Sequence, residues 1–96
     1  MGQVIWAPSA LKDVEFIAEY ISRDSAEQSA LLVTRIIEAA DRLVEFPMSG
    51  RIIPEIADAS CREVIYGAFR IMYRLEKEDV WITAVVHGAR DWKPSA

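Results

Sequence analysis

Residues 69–75 have the sequence FRIMYRL, and the alternation of their side chains is typical of a β-strand that has two different faces. Successive side chains of a strand point to opposite faces of its sheet. One face of this strand therefore carries apolar or aromatic side chains, those of Phe69, Ile71, Tyr73 and Leu75. The other face carries Arg70, Met72 and Arg74. We expect helices to cover the first face. We expect the second face, which carries the arginines, to be open.

Two amphipathic helices precede this strand and can supply the cover. In the first, apolar residues recur at spacings of four, three and four, at Ala10, Val14, Ile17 and Ile21. Ser9 is the expected cap of this helix. Residues 25–28, SAEQ, have the form of a capping box and predict a second helix, which ends before Pro47. The short connection predicts an antiparallel helical hairpin.

The remaining segments contain the short β-branched and aromatic runs of strands. QVIWA predicts an early strand that must rejoin the sheet, and CREVIY is joined to FRIMYRL by a tight turn around Gly67. VWITAVVH predicts a further strand, and PMSGRIIPEI predicts an irregular crossing. We therefore predict one α+β domain, residues 1–96, with an N-terminal strand, a two-helix hairpin and a three-stranded antiparallel meander. The helices are expected to pack on one face of the sheet.

The composition narrows the class of protein and of site. A single cysteine, Cys61, cannot form an intrachain disulfide, and no apolar run approaches the roughly 20 residues that span a bilayer. These features favour a cytoplasmic protein without a membrane partner. The net charge of −4 argues against tight non-specific binding of nucleic acid. We expect no metal and no cofactor, because one cysteine and one histidine cannot complete a zinc site and the four glycines are scattered.

Six residues in the second half of the chain are candidates for a functional surface. They are Arg62, Arg70, Arg74, His87, Arg90 and Trp92. The planar fork of arginine favours fixed contacts to carboxylates and phosphates, and a tryptophan beyond the last strand can contact a partner. His87 is the only histidine of the chain and has the chemistry of a general acid or base. The candidates therefore allow two interpretations, a binding surface and a catalytic site.

Four segments, taken in order, give the chain a resemblance to a known family. They are LVEFPMSGR at residues 43–51, REV at 62–64, FRIMYRL at 69–75 and VVHGARD at 85–91. On these segments the chain resembles the RelE/ParE superfamily of bacterial toxins, from Trp6 to Asp91. The crossing FPMSGR and the ending VVHGARD are more similar to the ParE-like branch, the plasmid stabilisation proteins.

The resemblance implies the toxin component of a type II toxin–antitoxin system. Such a toxin is neutralised in a hetero-oligomer by a cognate, ParD-like antitoxin, whose disordered C-terminal segment folds on binding. ParE-like members of the superfamily poison DNA gyrase, whereas RelE-like members cut messenger RNA on the ribosome. The resemblance thus leaves two cellular targets to choose between.

The residues expected of a RelE-like nuclease are only partly present in this sequence. Such nucleases use several lysines and arginines with a tyrosine near the C-terminus, where this chain has Gly88 and Trp92. We therefore expect a non-enzymatic gyrase inhibitor whose six candidate residues bind the target or the antitoxin. The alternative is a ribosome-dependent endoribonuclease that uses Arg70, Arg74, His87 and Arg90. A further alternative is an inactive relative that is kept as a binding module.

Overall fold

The computed structural model describes residues 2–94, and in this range two helices lie against a five-stranded sheet. In chain order the elements are β1 Val4–Trp6, α1 Pro8–Ser22, α2 Ala26–Asp41, a short 3-10 helix Arg42–Val44, β2 Arg51–Ile52, β3 Cys61–Tyr66, β4 Phe69–Glu76 and β5 Asp79–His87. The strand order is β1-β5-β4-β3-β2. β1 is parallel to β5, and the other neighbours are antiparallel. The predicted α+β arrangement is confirmed.

The two helices begin differently. α2 starts as predicted, since the Ser25 hydroxyl accepts a hydrogen bond from the backbone N–H of Gln28 at 3.1 Å. The predicted cap of α1 is wrong, because the helix begins at Pro8, whose fixed φ suits the first helical position. Ser9 is therefore already inside the helix, and its hydroxyl instead donates to the carbonyl oxygen of Thr83 at 3.0 Å.

The crossing between α2 and β3 contains a strand that the sequence pattern does not predict. Arg51 and Ile52 form β2 and pair with Glu63 and Arg62 at the edge of the sheet. Two residues are too few for an alternating pattern, and nearby prolines suggest an irregular segment instead. The sheet is consequently one strand wider than the predicted arrangement.

The face of the sheet that lies against α1 and α2, here called the helix face, contains the main apolar core. Ile71 and Tyr73 of β4 are fully buried there, and the other two residues of the predicted set, Phe69 and Leu75, are half-buried against the same cluster. The helices and β5 contribute the remaining fully or almost fully buried side chains, those of Ala10, Val14, Ile36, Ala40, Leu43, Val80, Ile82 and Val85. The predicted cover of this face is confirmed.

The opposite face, here called the outer face, is open only in part. Arg74 is exposed as predicted, but Met72 is fully buried and Arg70 nearly so, because the loop between β2 and β3 and the segment after β5 fold over them. Ile53 and Val86 join Met72 in a second apolar cluster, and Trp92 packs against it. The alternation along β4 therefore separates a covered face from one that is partly covered.

A bulge in β5 determines which of its side chains reach each face. Met72 pairs with Ala84 and the adjacent Tyr73 pairs with Ile82, so that Thr83 is left over. One extra residue reverses the facing of every side chain that follows it. α1 secures the bulge, because Asp13 accepts a hydrogen bond from the Val85 N–H at 2.9 Å, next to the contact of Ser9 with Thr83.

Within residues 2–94, neither helix has the length and apolar character that crossing a membrane requires.

Candidate binding surface

The strand pairing divides the six candidate residues between the two faces of the sheet. Residues that are paired directly across neighbouring strands lie on the same face. Arg62 pairs with Tyr73 and His87 with Phe69, which places both candidates on the helix face. Arg70 and Arg74 lie on the outer face, paired with Val86 and Trp81. The structure therefore does not bring His87 together with the strand arginines.

Arg70 is bound by two carboxylates from different parts of the chain. Its Nε donates to Oε1 of Glu63 at 2.7 Å, and its two terminal nitrogens donate to the two oxygens of Glu55 at 2.8 and 2.7 Å. The hydrogen bonds to Glu55 raise the pKa of Arg70, and those from Arg70 lower the pKa of Glu55 to about 2. With three of its N–H groups bound to carboxylates and its side chain almost buried, Arg70 is poorly placed to bind a target directly, contrary to its expected position on an open face.

Glu63 is a buried carboxylate that the sequence pattern does not identify as functional. Its side chain is fully buried and accepts hydrogen bonds from Arg70 and, at 2.6 Å, from Nε of Arg51. Arg51 lies directly opposite on β2, and Arg70 lies diagonally across on β4. The sequence did contain a signal, an acidic residue within the otherwise apolar end of a predicted strand. Because an acidic side chain is buried only with cationic partners, this residue could have indicated a buried ion pair.

Arg62 holds the chain crossing in place. Its Nε donates to the carbonyl oxygen of Ala59, and one terminal nitrogen donates to that of Gly50, both at 2.9 Å. Gly50 is buried, and a Cβ added there would lie 2.6 Å from the Tyr73 hydroxyl oxygen. Only glycine fits this approach, and Arg62 satisfies its carbonyl group. These contacts give Arg62 a structural role, and its expected contact with a target stays a prediction.

His87 is exposed at the end of β5, next to an aromatic ring. It meets the ring of Phe69 edge-on, with centroids 5.6 Å apart, and its Nδ1 accepts the N–H of Ala89 at 3.1 Å. This hydrogen bond terminates the strand in a turn. The geometry agrees with a structural histidine whose remaining nitrogen can still meet a partner.

Arg74, Arg90 and Trp92 line a groove of about 540 Å³ on the outer face. The Arg74 side chain is 48% exposed and forms an ion pair with Glu76 at 3.1 Å, which is weak at such exposure. Arg90 is exposed, and Trp92 is half-buried with its ring 5.8 Å from the guanidinium carbon of Arg70. The structure brings these three predicted residues to one surface, and it brings His87 and Arg90 together in a separate cavity beside α1.

A second groove, of about 520 Å³, runs between α1 and the end of the sheet; we refer to it as the α1 groove. Phe16 and Tyr20 form one wall and are 71% and 61% exposed, a large fraction for aromatic side chains. Other lining residues are Ile17, Ile21, Ala68, Phe69 and His87. Arg23 lies 5.9 Å from the ring centre of Tyr20, and Lys12 and Arg90 line the adjoining cavity beyond Phe16. The groove is apolar along its length and basic at its ends.

The arrangement suits binding better than acid–base chemistry on a phosphodiester. Proton transfer requires the acid, the base and the stabilising cations around one position. Here His87 and Arg70 lie on different faces, and three N–H groups of Arg70 are bound to carboxylates. Among residues 2–94, the His, Cys, Asp and Glu side chains form no group of three or more that could hold a metal ion.

Comparison with known proteins identifies the family. A sequence model described as the ParE toxin of the type II toxin–antitoxin system parDE matches residues 4–92. The chain belongs to the ParE toxin family. It is 35% identical over 91 residues to toxin RelE2 of Caulobacter vibrioides, covering 94% of this chain and 99% of that one. It is 34% identical over 92 residues to Y4kP of Sinorhizobium fredii, covering 94% and 92%.

The fold of this ParE family member matches a solved structure as well. A chain of the chromosomal ParDE toxin–antitoxin system from P. aeruginosa superposes with a TM-score of 0.74. The match covers 91% of this chain and 96% of the other, at 19% sequence identity. At that identity the likeness establishes the shared fold only. The resemblance of the sequence to the RelE/ParE superfamily is confirmed.

Proposed function

We propose that this ParE family member is a toxin that acts by binding, with DNA gyrase as its target in the bacterial cytoplasm. The observation that carries the proposal is the division of the candidate nuclease residues. His87 lies on the helix face and shares a cavity with Arg90, whereas Arg74 shares the outer-face groove with Arg90. Arg70 is bound by Glu55 and Glu63. Because neither cavity brings His87, Arg70 and Arg74 together, the arrangement favours recognition over cleavage.

The proposed target-binding surface is the outer-face groove. Arg74 and Arg90 supply exposed guanidinium groups, and Trp92 supplies an aromatic wall. Arginine and tryptophan are the residue types that contribute most at protein interfaces, because each combines a large contact area with hydrogen bonding. An acidic patch or a DNA-bound surface of gyrase would complement these cations.

Expression of the chain alone in bacteria tests the class of target. Incorporation of labelled thymidine and of labelled methionine is followed over the first minutes after induction. Early loss of thymidine incorporation with continued translation supports gyrase as target. Early loss of methionine incorporation with truncated transcripts supports the endoribonuclease alternative, which the name of the relative RelE2 favours.

A supercoiling assay then tests the surface. Purified gyrase is titrated with the chain and with Arg90→Ala, which we expect to raise the half-inhibitory concentration about tenfold, the loss of one charge-assisted hydrogen bond. Arg35→Ala is the matched control, since Arg35 is also exposed but lies on α2. Full supercoiling at a large molar excess of the unaltered chain would refute the proposal.

The α1 groove is the proposed binding site of the antitoxin. Its exposed aromatic wall, Phe16 and Tyr20, matches the apolar face of an amphipathic helix. The basic residues at its ends, Lys12, Arg23 and Arg90, match acidic residues that flank such a face. The pairing of toxin and antitoxin in the structurally similar ParDE system supports a partner of this kind.

Co-expression with the protein of the adjacent reading frame tests the antitoxin site. Phe16→Ala is expected to weaken the complex about ten- to a hundredfold, as measured by calorimetry, because a buried aromatic contact is lost. Leu31→Ala removes another exposed apolar side chain, which lies on α2, and serves as the control. Equal affinities of Phe16→Ala and the unaltered chain would place the antitoxin elsewhere.

A further inference from the structure

Arg70 connects four separate parts of the chain through one guanidinium group. The residue itself belongs to β4, and its Nε binds Glu63 of β3. Its terminal nitrogens bind Glu55, in the loop between β2 and β3. The guanidinium carbon of the same group lies 5.8 Å from the ring centre of Trp92, in the segment after β5.

The two carboxylates fix the guanidinium group that lies over the ring of Trp92. Three donors of Arg70 point at oxygens of two acids, so the orientation of the guanidinium is determined by hydrogen bonds on both of its edges. A cation over an aromatic face is attracted by the ring, and the attraction grows where water is excluded. Trp92 also packs against the apolar cluster of Ile53, Met72 and Val86, which completes its contact surface.

We propose that Arg70 is a positioning residue, which seats Trp92 and thereby sets the position of the segment 88–94 on the outer face. The role of this segment in target binding rests on the function proposed above, whereas the seating of Trp92 by Arg70 does not. Arg70 acts through Trp92 and Arg90 without touching the target. The fork is essential, because lysine keeps the charge but cannot hold both carboxylates and present a flat face.

Indole N–H signals in a ¹H–¹⁵N NMR spectrum test the seating directly. The chain has three tryptophans, and substituting each by phenylalanine assigns its signal. Arg70→Lys is expected to shift the signal of Trp92 while those of Trp6 and Trp81 stay in place. Arg74→Lys is the matched control, on the same strand and face but with an exposed side chain. An unmoved Trp92 signal in Arg70→Lys overturns the proposal.

A second variant keeps the test decisive if Arg70→Lys does not fold. Glu55 is exposed, and Glu55→Gln weakens its hydrogen bonds with Arg70. This variant should move the Trp92 signal in the same direction as Arg70→Lys, by a smaller amount. If Arg70→Lys is unfolded and Glu55→Gln leaves Trp92 unmoved, the proposal fails.

The supercoiling assay tests the consequence for function. Arg70→Lys and Trp92→Ala should each raise the half-inhibitory concentration. Loss of the cation–π contact alone should raise it about two- to fivefold. The double variant should be no weaker than Trp92→Ala, because both changes remove one interaction. Effects that multiply would show that Arg70 acts independently of Trp92, against the proposal. If the unaltered chain leaves gyrase active, the proposed function fails while the NMR result still decides the seating.

Discussion

Both faces of the sheet contain buried residues, but the buried residues differ in chemical type. On the helix face, Ile71 and Tyr73 pack against apolar side chains of two helices. On the outer face, Met72 lies beside a nearly buried guanidinium, that of Arg70, and a buried carboxylate, that of Glu63. Adjacent residues of β4 therefore pack into different surroundings, an apolar core on one face and a cluster with buried charges on the other.

The difference has a structural reason. The helix face is covered by regular elements whose backbone groups are satisfied internally, so apolar packing suffices. The outer face is covered by the loop between β2 and β3, which is held by turn hydrogen bonds such as that from the Ala57 N–H to the Ile53 carbonyl oxygen, and by the segment after β5. Arg70, bound to Glu55 in the loop and in contact with Trp92, connects both segments to β4. We expect the buried charge here to determine geometry more than it adds stability.

The largest expected effect comes from removing the cation of the outer face. Arg70→Met leaves Glu63 buried with Arg51 as its remaining cationic partner, and a buried pair broken on one side costs about 3 to 5 kcal/mol of unfolding free energy. Urea denaturation followed by circular dichroism measures the loss. Arg74→Met, on the same face and strand but exposed, should change stability by less than about 0.5 kcal/mol.

Replacing both members of the pair sharpens the comparison. Glu63→Leu combined with Arg70→Met converts the outer face to apolar packing and should recover most of the loss from Arg70→Met alone, since the buried carboxylate is then gone. A double variant less stable than Arg70→Met would mean that Glu63 stabilises the chain without Arg70. The NMR signal of Trp92 should remain displaced even where stability returns, which separates stability from seating.

The next effect compares two neighbours on opposite faces. Ile71→Ala and Met72→Ala each delete a fully buried apolar side chain, and each should cost about 2 to 5 kcal/mol. We expect Ile71→Ala to cost more, because helices on the sheet relax less around a cavity than a loop does. Denaturation midpoints with unchanged slopes check this order. Equal costs would mean that the loop over Met72 is as rigid as the helices.

Regular periodicity explains which parts of the fold the sequence predicts. The helical stripe of α1, the Ser25 cap of α2 and the alternation in β4 all reflect local geometry, and each prediction is confirmed. β2 is not predictable in this way, since two residues contain no period. The start of α1 was wrong because Pro8 suits the first helical position better than Ser9 suits the cap.

The candidate site was predictable by residue type but not by arrangement. The bulge at Thr83 moves His87 to the helix face, and no residue in VVHGARD indicates an extra residue in the strand. Arg70 looks like any other strand arginine until Glu55, from a loop, binds it. Contacts between a strand and an irregular loop have no periodic signal, so Arg70 was expected at the surface and is buried.

A smaller effect probes the hydrogen bonds that the buried Tyr73 makes on the helix face. The Tyr73 hydroxyl donates to the carbonyl oxygen of Pro47 at 2.7 Å and accepts the N–H of Gly50 at 3.0 Å, and burial raises its pKa. Tyr73→Phe leaves both backbone groups without this partner and should cost about 1 to 3 kcal/mol in urea denaturation. Tyr20→Phe, at an exposed ring, is the control and should be neutral. Neutrality of Tyr73→Phe would show that water replaces the hydroxyl.

The smallest effect is the pH dependence that the charged face should show and the apolar face should not. Arg70 lowers the pKa of Glu55 from 4.5 to about 2, so the unfolded chain takes up this proton first as the pH falls. The resulting stability is complete above about pH 4.5 and is lost between that pH and about 2. Melting temperatures measured across this range should fall less steeply in Glu55→Gln than in the unaltered chain.

The pH dependence that remains in Glu55→Gln includes a contribution from Asp58, whose pKa is lowered by hydrogen bonds from Ser60. Asp58→Asn combined with Glu55→Gln should therefore reduce the slope further. Identical slopes in Glu55→Gln and the unaltered chain would mean that Arg70 does not grip Glu55 in solution, and the difference between the two faces would then rest on Glu63 alone.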